Sequence, residues 1–274
     1  MSSSAEPPTS ETALDDALTV VGSPILATIE SVGEFLIFVG RVFALIGRGR
    51  VHLHNTVQQL AFVGTDSLGI TLLTSLAVGA VFTLQIADQF IRFGANSMVG
   101  AAAGMALVRE LAPLMTGVVV AGRVAAAFAA ELGSMKVTQQ IDALTAMAVD
   151  PLYYLVVPRV LASAIMLPLL TILAIGIGML GGLAVAVLLK GVLSSVYIDS
   201  MASYLVLADF AKSIVKAVVF GLILSLVGCF RGLGTGEGAR GVGTATTQAV
   251  VHSLMAIFLS NYLMTTVLYT GKPS

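Results

Sequence analysis

Five long apolar runs dominate the chain, at about 68–87, 98–130, 160–189, 214–230 and 249–269. A helix needs about 20 apolar residues to cross the hydrocarbon core of a bilayer. Each run is close to that length or longer, and the longer ones can tilt or kink. Composition points the same way: 57% of the residues are hydrophobic and 11% are charged, against about 25% charged in a soluble domain. Mean hydropathy is +0.98. A transmembrane β-barrel would show alternating segments of roughly ten residues, whereas these runs are continuous. The expected fold is therefore an all-α membrane protein with five spans. A net charge of −1 gives no electrostatic footprint for nucleic acid.

Before the first run, MSSSAEPPTSETALDD at 1–16 is acidic and has neither the basic nor the apolar part of a signal peptide. It reads as a disordered tail, leaving 17–274 as one membrane domain. At 32–46, Val32, Phe35, Leu36, Val39, Val42, Phe43 and Ile46 share one helical face. The run is short for a span and is broken by Glu34 and Arg41, so it reads as an amphipathic helix lying in the interface. Arg41, Arg48 and Arg50 precede the first span and put the N-terminus in the cytoplasm. Inner loops then hold Lys136, Arg159, Arg231 and Arg240; outer segments hold Arg92, Lys190, Lys212, Lys216 and Lys272. GAAAG at 100–104 and GMLGG at 178–182 space glycines for close helix approach.

The most polar long stretch after the N-terminus is 131–159, between the second and third spans. Within it Val137, Ile141, Leu144 and Met147 fall on one helical face, and Asp150-Pro151 ends the helix. Pattern alone leaves two readings: an interfacial linker, or a helix that docks on another protein. GEGARG at 236–241 fits a dinucleotide fingerprint by letters, but it follows a membrane span and no β-strand precedes it. It reads as a flexible loop. The sequence has no phosphate-binding loop of the form G-x-x-x-x-G-K-[ST], so any ATP hydrolysis must come from another subunit. His52, His54 and His252 lack metal-ligand spacing, and the single Cys229 cannot form an internal disulfide. Asn261 can bond across helices in the last span.

Charges inside a span are costly and usually functional, which singles out Arg109 and Glu110 in RELAP. Neighbours on a helix do not face each other, and neither residue has an opposite charge three or four positions away. Their partners must come from another helix, a second subunit, water or a lipid headgroup. Pro113 permits a kink just past them. Glu110 lies roughly 30 Å along an ideal helix from Glu131, so the two belong near opposite interfaces. Arg123, further along, can snorkel to the cytoplasmic surface.

RELAP, AGR, AELG, QIDAL and DPLYYLVVPR within 109–159, with ATTQAVVHS at 245–253, resemble the MlaE/YrbE permeases, the membrane subunits of MCE-type lipid ABC transporters. The resemblance implies an N-terminal interfacial helix and five membrane helices, the first partly re-entrant. It implies a homodimer bound to two ABC ATPase subunits, which carry the ATP and Mg, with no cofactor in this chain. An MCE-domain protein on the far side would shield lipid in transit. The stretch 131–147 falls where the family has its coupling helix, so Glu131, Met135, Lys136, Gln139, Gln140, Asp142 and Met147 are expected to couple to the ATPase. The family's RE pair lies by a lipid cavity, which puts Arg109, Glu110 and Gln85 near a phospholipid headgroup. The expected location is a bacterial inner membrane or a chloroplast inner envelope. The rivals are a stand-alone secondary transporter or channel using Glu110 for ion coupling, and a scaffold without transport.

Overall fold

The computed structural model describes residues 10–49 and 52–269, with side chains from residue 29 onward. It forms two units, Met1–Arg48 and Gly49–Ser274. The first unit holds one helix, α1 (Ser10–Gly47). It contains the expected stretch 32–46 but starts far earlier. Residues 10–16, expected as disordered tail, are helical, while residues 1–9, Arg50 and Lys272 lie outside the described residues. Val32, Leu36 and Phe43 on its apolar face are exposed.

The second unit holds α2 (Leu53–Arg92), α3 (Asn96–Val137), α4 (Gln140–Ala146), α5 (Leu152–Leu188), α6 (Ser194–Tyr204), α7 (Leu207–Leu233) and α8 (Gly238–Tyr269). The described residues contain no strand. Five of these helices, α2, α3, α5, α7 and α8, are long and apolar enough to span a membrane. They run longer than the apolar runs because their polar flanking residues are also helical. α2 is one unbroken helix of 40 residues, with no re-entrant break. Gly238–Gly241, expected as flexible loop, begin α8 instead. The helix α6 was not expected; it is too short and polar to register as a span.

α2 packs chiefly on α5, and its sequence explains how. Its buried residues include Ser67, Thr71, Ser75, Gly79, Thr83 and Ala87, one every four positions. Small side chains in a row with that period form a shallow groove that a second helix can enter closely. A Cβ on Gly79 would overlap the backbone of Gly178, and Ser75 Oγ donates to the Ala174 carbonyl at 2.6 Å. Meanwhile Ile70, Leu73 and Val81 of α2 point outward, as suits a helix whose other solvent is lipid. The same device seats α6: a Cβ on Gly100 would overlap the Tyr197 carbonyl, and Ser200 Oγ accepts from the Ala101 N–H at 2.9 Å. Tyr197 is buried there, and burial pushes its phenol pKa up, partly offset by a hydrogen bond with Thr83. Both glycine motifs of the sequence thus pack helices within the chain.

Candidate functional site: a charged cluster between three membrane helices

α3 is not uniformly α-helical. Residues Leu107–Leu111 and Ala121–Ala125 widen into π-helical turns. Such turns in an α-helix often mark functional positions, and each of these carries an arginine, Arg109 and Arg123.

At the first turn, Arg109 and Glu110 reach separate partners on α7. Arg109 clasps Asp209 with two nitrogens, Nε at 2.9 Å from Oδ1 and an Nη at 3.0 Å from Oδ2. The Nη–H is aligned to donate, whereas the Nε contact is ionic without a hydrogen bond. Asp209 also accepts from the Val206 N–H at 3.4 Å, tying the first turn of α7 to the same carboxylate. Glu110 meets Lys216 at 2.7 Å. Lys216 is wholly buried, and its ammonium has three acceptors: Glu110 Oε1, Thr265 Oγ1 at 2.8 Å and the Arg109 carbonyl at 3.0 Å. An ammonium has three protons, so its capacity is filled. The third acceptor follows from the sequence. Residue 113 is proline and has no N–H to offer the carbonyl four residues earlier, so the Arg109 oxygen is open to Lys216. From α8, Thr265 donates to Glu110 at 3.0 Å and Asn261 Nδ2 donates to Oε2 at 3.1 Å. The Tyr269 ring lies 5.3 Å from the Arg109 guanidinium and 4.6 Å from the Lys212 ammonium.

The cluster is not sealed. The Arg109 and Glu110 side chains are 36% and 34% exposed, against 5% for Asp209 and 0% for Lys216. The inner charges hold the outer two in place, and the outer two present one positive and one negative group together. Gln85 lines an apolar hollow with Ala77, Val78, Val81, Phe82 and Leu111, the residue that follows Glu110. Arg123 is held on α2 through Asp66 at 3.0 Å, Ser67 Oγ at 2.8 Å and the Phe62 carbonyl at 3.0 Å. Among the described residues no group of three His, Cys, Asp or Glu side chains is arranged to hold a metal.

The other end of α3 differs from the expected single helix at 131–147. Glu131–Val137 complete α3, the chain turns at Thr138 and Gln139, and α4 follows as a separate seven-residue helix. The reason is local: Gln139 adopts a left-handed φ of 59°, which no α-helix continues through. Glu131 bonds Arg159 at 2.7 Å, and Lys136 donates to the Leu233 carbonyl at 2.6 Å. Met135 is half-buried, and Gln139, Gln140, Asp142 and Met147 are exposed. Gln139 and Asp142 line a cleft with Thr235 and Glu237 of the α7–α8 turn.

Sequence reasoning found Arg109, Glu110 and Asn261 but missed Asp209, Lys216 and Thr265. The charge pattern assigns Lys216 to the outer segments, and the structure places it inside α7. The available signal was a lysine and an aspartate seven apart, flanked by apolar residues, matching an Arg-Glu pair that lacked local partners.

Five helices long enough to span a membrane, three of which enclose a charged cluster, define a multi-pass membrane protein. The comparisons agree. The Permease MlaE family matches residues 56–267. A probable ABC transporter permease of Synechocystis sp. is 46% identical over 232 residues, 85% of this chain and 88% of that protein. Another from Rickettsia typhi is 41% identical, covering 91% of this chain and 96% of the relative. Protein trigalactosyldiacylglycerol 1, chloroplastic, of Arabidopsis thaliana is 41% identical over 86% of this chain and 67% of its own length. The chain belongs to the MlaE permease family.

Proposed function

We propose that this chain is the membrane subunit of an ATP-driven transporter that moves phospholipid or a related lipid between membranes. The observation that carries the reading is the permease family match across 56–267, on a chain with no phosphate-binding loop of its own. ATP and Mg then belong to two ABC ATPase subunits, and two copies of this chain enclose the lipid cavity. An MCE-domain protein receives or delivers lipid on the far side. The galactolipid in the name of the Arabidopsis relative supports a lipid cargo. The seat is a bacterial inner membrane or a chloroplast inner envelope.

The geometry supports a role for Arg109 and Glu110 at a lipid headgroup. They are the half-open members of a cluster whose inner members are buried, so a headgroup can meet both charges without breaking either pair. Gln85 would meet the acyl region instead, since its hollow is apolar. The ion-coupling alternative is less well supported, because both Glu110 oxygens are engaged by Lys216, Thr265 and Asn261. α4 has no buried residue within this chain. A short helix gains little by itself and is stabilised mainly by packing, which supports its docking on the ATPase through Gln139, Gln140, Asp142 and Met147, with Met135 behind them.

The test is co-expression and purification of the chain with an ABC ATPase from the same source, followed by transfer of fluorescent phospholipid between vesicles. A stable complex with ATP-dependent transfer is expected. A chain that purifies alone and moves ions down a gradient would contradict the reading.

A further inference from the structure

The second widened turn of α3, Ala121–Ala125, carries Arg123. Along an ideal helix it lies about 20 Å from Glu110 and about 12 Å from Glu131. An arginine at that depth commonly extends its charged end toward water. Arg123 turns to α2 instead. One Nη donates to both the Phe62 carbonyl and Ser67 Oγ, the other donates to Asp66 Oδ2, and the guanidinium lies 4.7 Å from the Phe62 ring. Ser67 is wholly buried, so the arginine is fixed on its inner side.

The outer side of the pair is open. Three of the five guanidinium N–H groups are used, and the Arg123 side chain is 28% exposed. Asp66 is 54% exposed, and its Oδ1 accepts no hydrogen bond among the described residues. No other Asp, Glu, Lys or Arg occurs in α2 before Asp88. A charge displayed on the outside of a membrane helix is costly, and Arg123 meets one of the two Asp66 oxygens. Asp66 also heads a stripe. Ile70, Leu73, Ala77, Val81 and Gln85 follow it three or four positions apart, on one side of α2, and all are exposed. From Asp66 to Val81 the stripe runs about 22 Å, longer than the roughly 15 Å that one leaflet contributes to the hydrocarbon core. It ends at the hollow shared by Gln85 and Leu111, beside Glu110.

We propose that Arg123 and Asp66 form a second headgroup site, for the phosphate and ammonium of an aminophospholipid whose tails lie along Ile70, Leu73, Ala77 and Val81. The phosphate takes the open guanidinium N–H groups and the ammonium donates to Asp66 Oδ1. The inference rests on the lipid reading above and adds to it a headgroup class and a second stop, at the other widened turn of α3.

The test is photolabelling of the full chain in phosphatidylcholine vesicles without ATP. The probes are phosphatidylethanolamine and phosphatidylglycerol with a diazirine at the glycerol end of one acyl chain. Label is mapped by peptide mass spectrometry and read as the ratio of residues 62–73 to residues 165–173, a stretch of α5 with exposed apolar side chains and no charged residue. Phosphatidylethanolamine should give a ratio about fivefold above phosphatidylglycerol, the upper end for an exposed ion pair. Asp66→Asn should lower the first ratio and raise the second, and a gain of phosphatidylglycerol label cannot come from unfolding. Arg123→Gln should make the two probes equal. Equal ratios in the parent chain, or an order that Asp66→Asn leaves unchanged, would overturn the proposal. If the parent and both variants behave as expected while ATP never moves lipid, the headgroup site stands and the transport reading fails. If ATP-driven transfer occurs while the two probes label 62–73 alike, the transport reading stands and the headgroup site falls.

Discussion

The two ends of α3 solve the same problem in opposite ways. Both carry charges that need partners from other helices. At the Arg109–Glu110 end the partners are buried, and every proton of Lys216 is used. At the Glu131–Lys136 end the acidic and basic groups are largely exposed, and only Arg159 is sunk into the protein. One end therefore depends on its ion pairs for folding, whereas the other uses them for geometry. Water is available at the second end to solvate a broken pair, and far less of it reaches Lys216.

Substitutions sharpen that contrast. The largest effect belongs to Lys216→Ala, which leaves Glu110 inside the bundle without its cation. Removing one partner of a buried pair costs 3–5 kcal/mol, and the partial exposure of Glu110 puts this case near about 3 kcal/mol. Thermal unfolding in detergent should show it, and Lys216→Met combined with Glu110→Gln should recover most of the loss. If the double variant melts as low as Lys216→Ala, the pair is not what holds α7 to α3. Next comes Gly79→Leu, where a side chain must push α2 from α5 against the Gly178 backbone. Overpacking of this kind costs about 1–3 kcal/mol, visible in the same assay; an unchanged melting temperature would mean that α2 does not depend on that close approach.

How much of this was legible beforehand depends on distance along the chain. The five spans, the glycine motifs and the isolation of Arg109 and Glu110 all follow from neighbours within one helix, and the structure bears them out. The partners Asp209 and Lys216 lie 100 and 106 positions away from the residues they hold, so only matching unpartnered charges between separate spans, and not spacing within one helix, could have paired them. The row of small residues on α2 was readable, but a hydropathy reading looks for apolar faces. In lipid the buried face is the small and hydroxyl-bearing one. The break at Gln139 was hidden because glutamine rarely takes a positive φ, and the apolar spacing from Val137 to Met147 ran straight across it.

Smaller effects probe the exposed end. Ala148→Gly should stabilise the chain by about 0.5–1 kcal/mol, since glycine takes a positive φ without the Cβ penalty and offsets this partly through unfolded-state entropy. A destabilised variant would show that Ala148 is not strained. Asp142→Lys should change stability by less than about 0.5 kcal/mol, as exposed substitutions usually do, yet weaken association with the ATPase. Unchanged co-purification across a salt series would remove the face of α4 from the proposed contact.

The central claim is that ATP drives lipid past the cluster at Arg109 and Glu110. The most direct measurement is phospholipid transfer by the reconstituted permease–ATPase complex carrying Lys216→Met with Glu110→Gln, a variant expected to fold and assemble. The account predicts ATP-dependent transfer in the parent complex and a loss of at least about tenfold in the variant, with ATP hydrolysis retained. Transfer by the variant at the parent rate would contradict it.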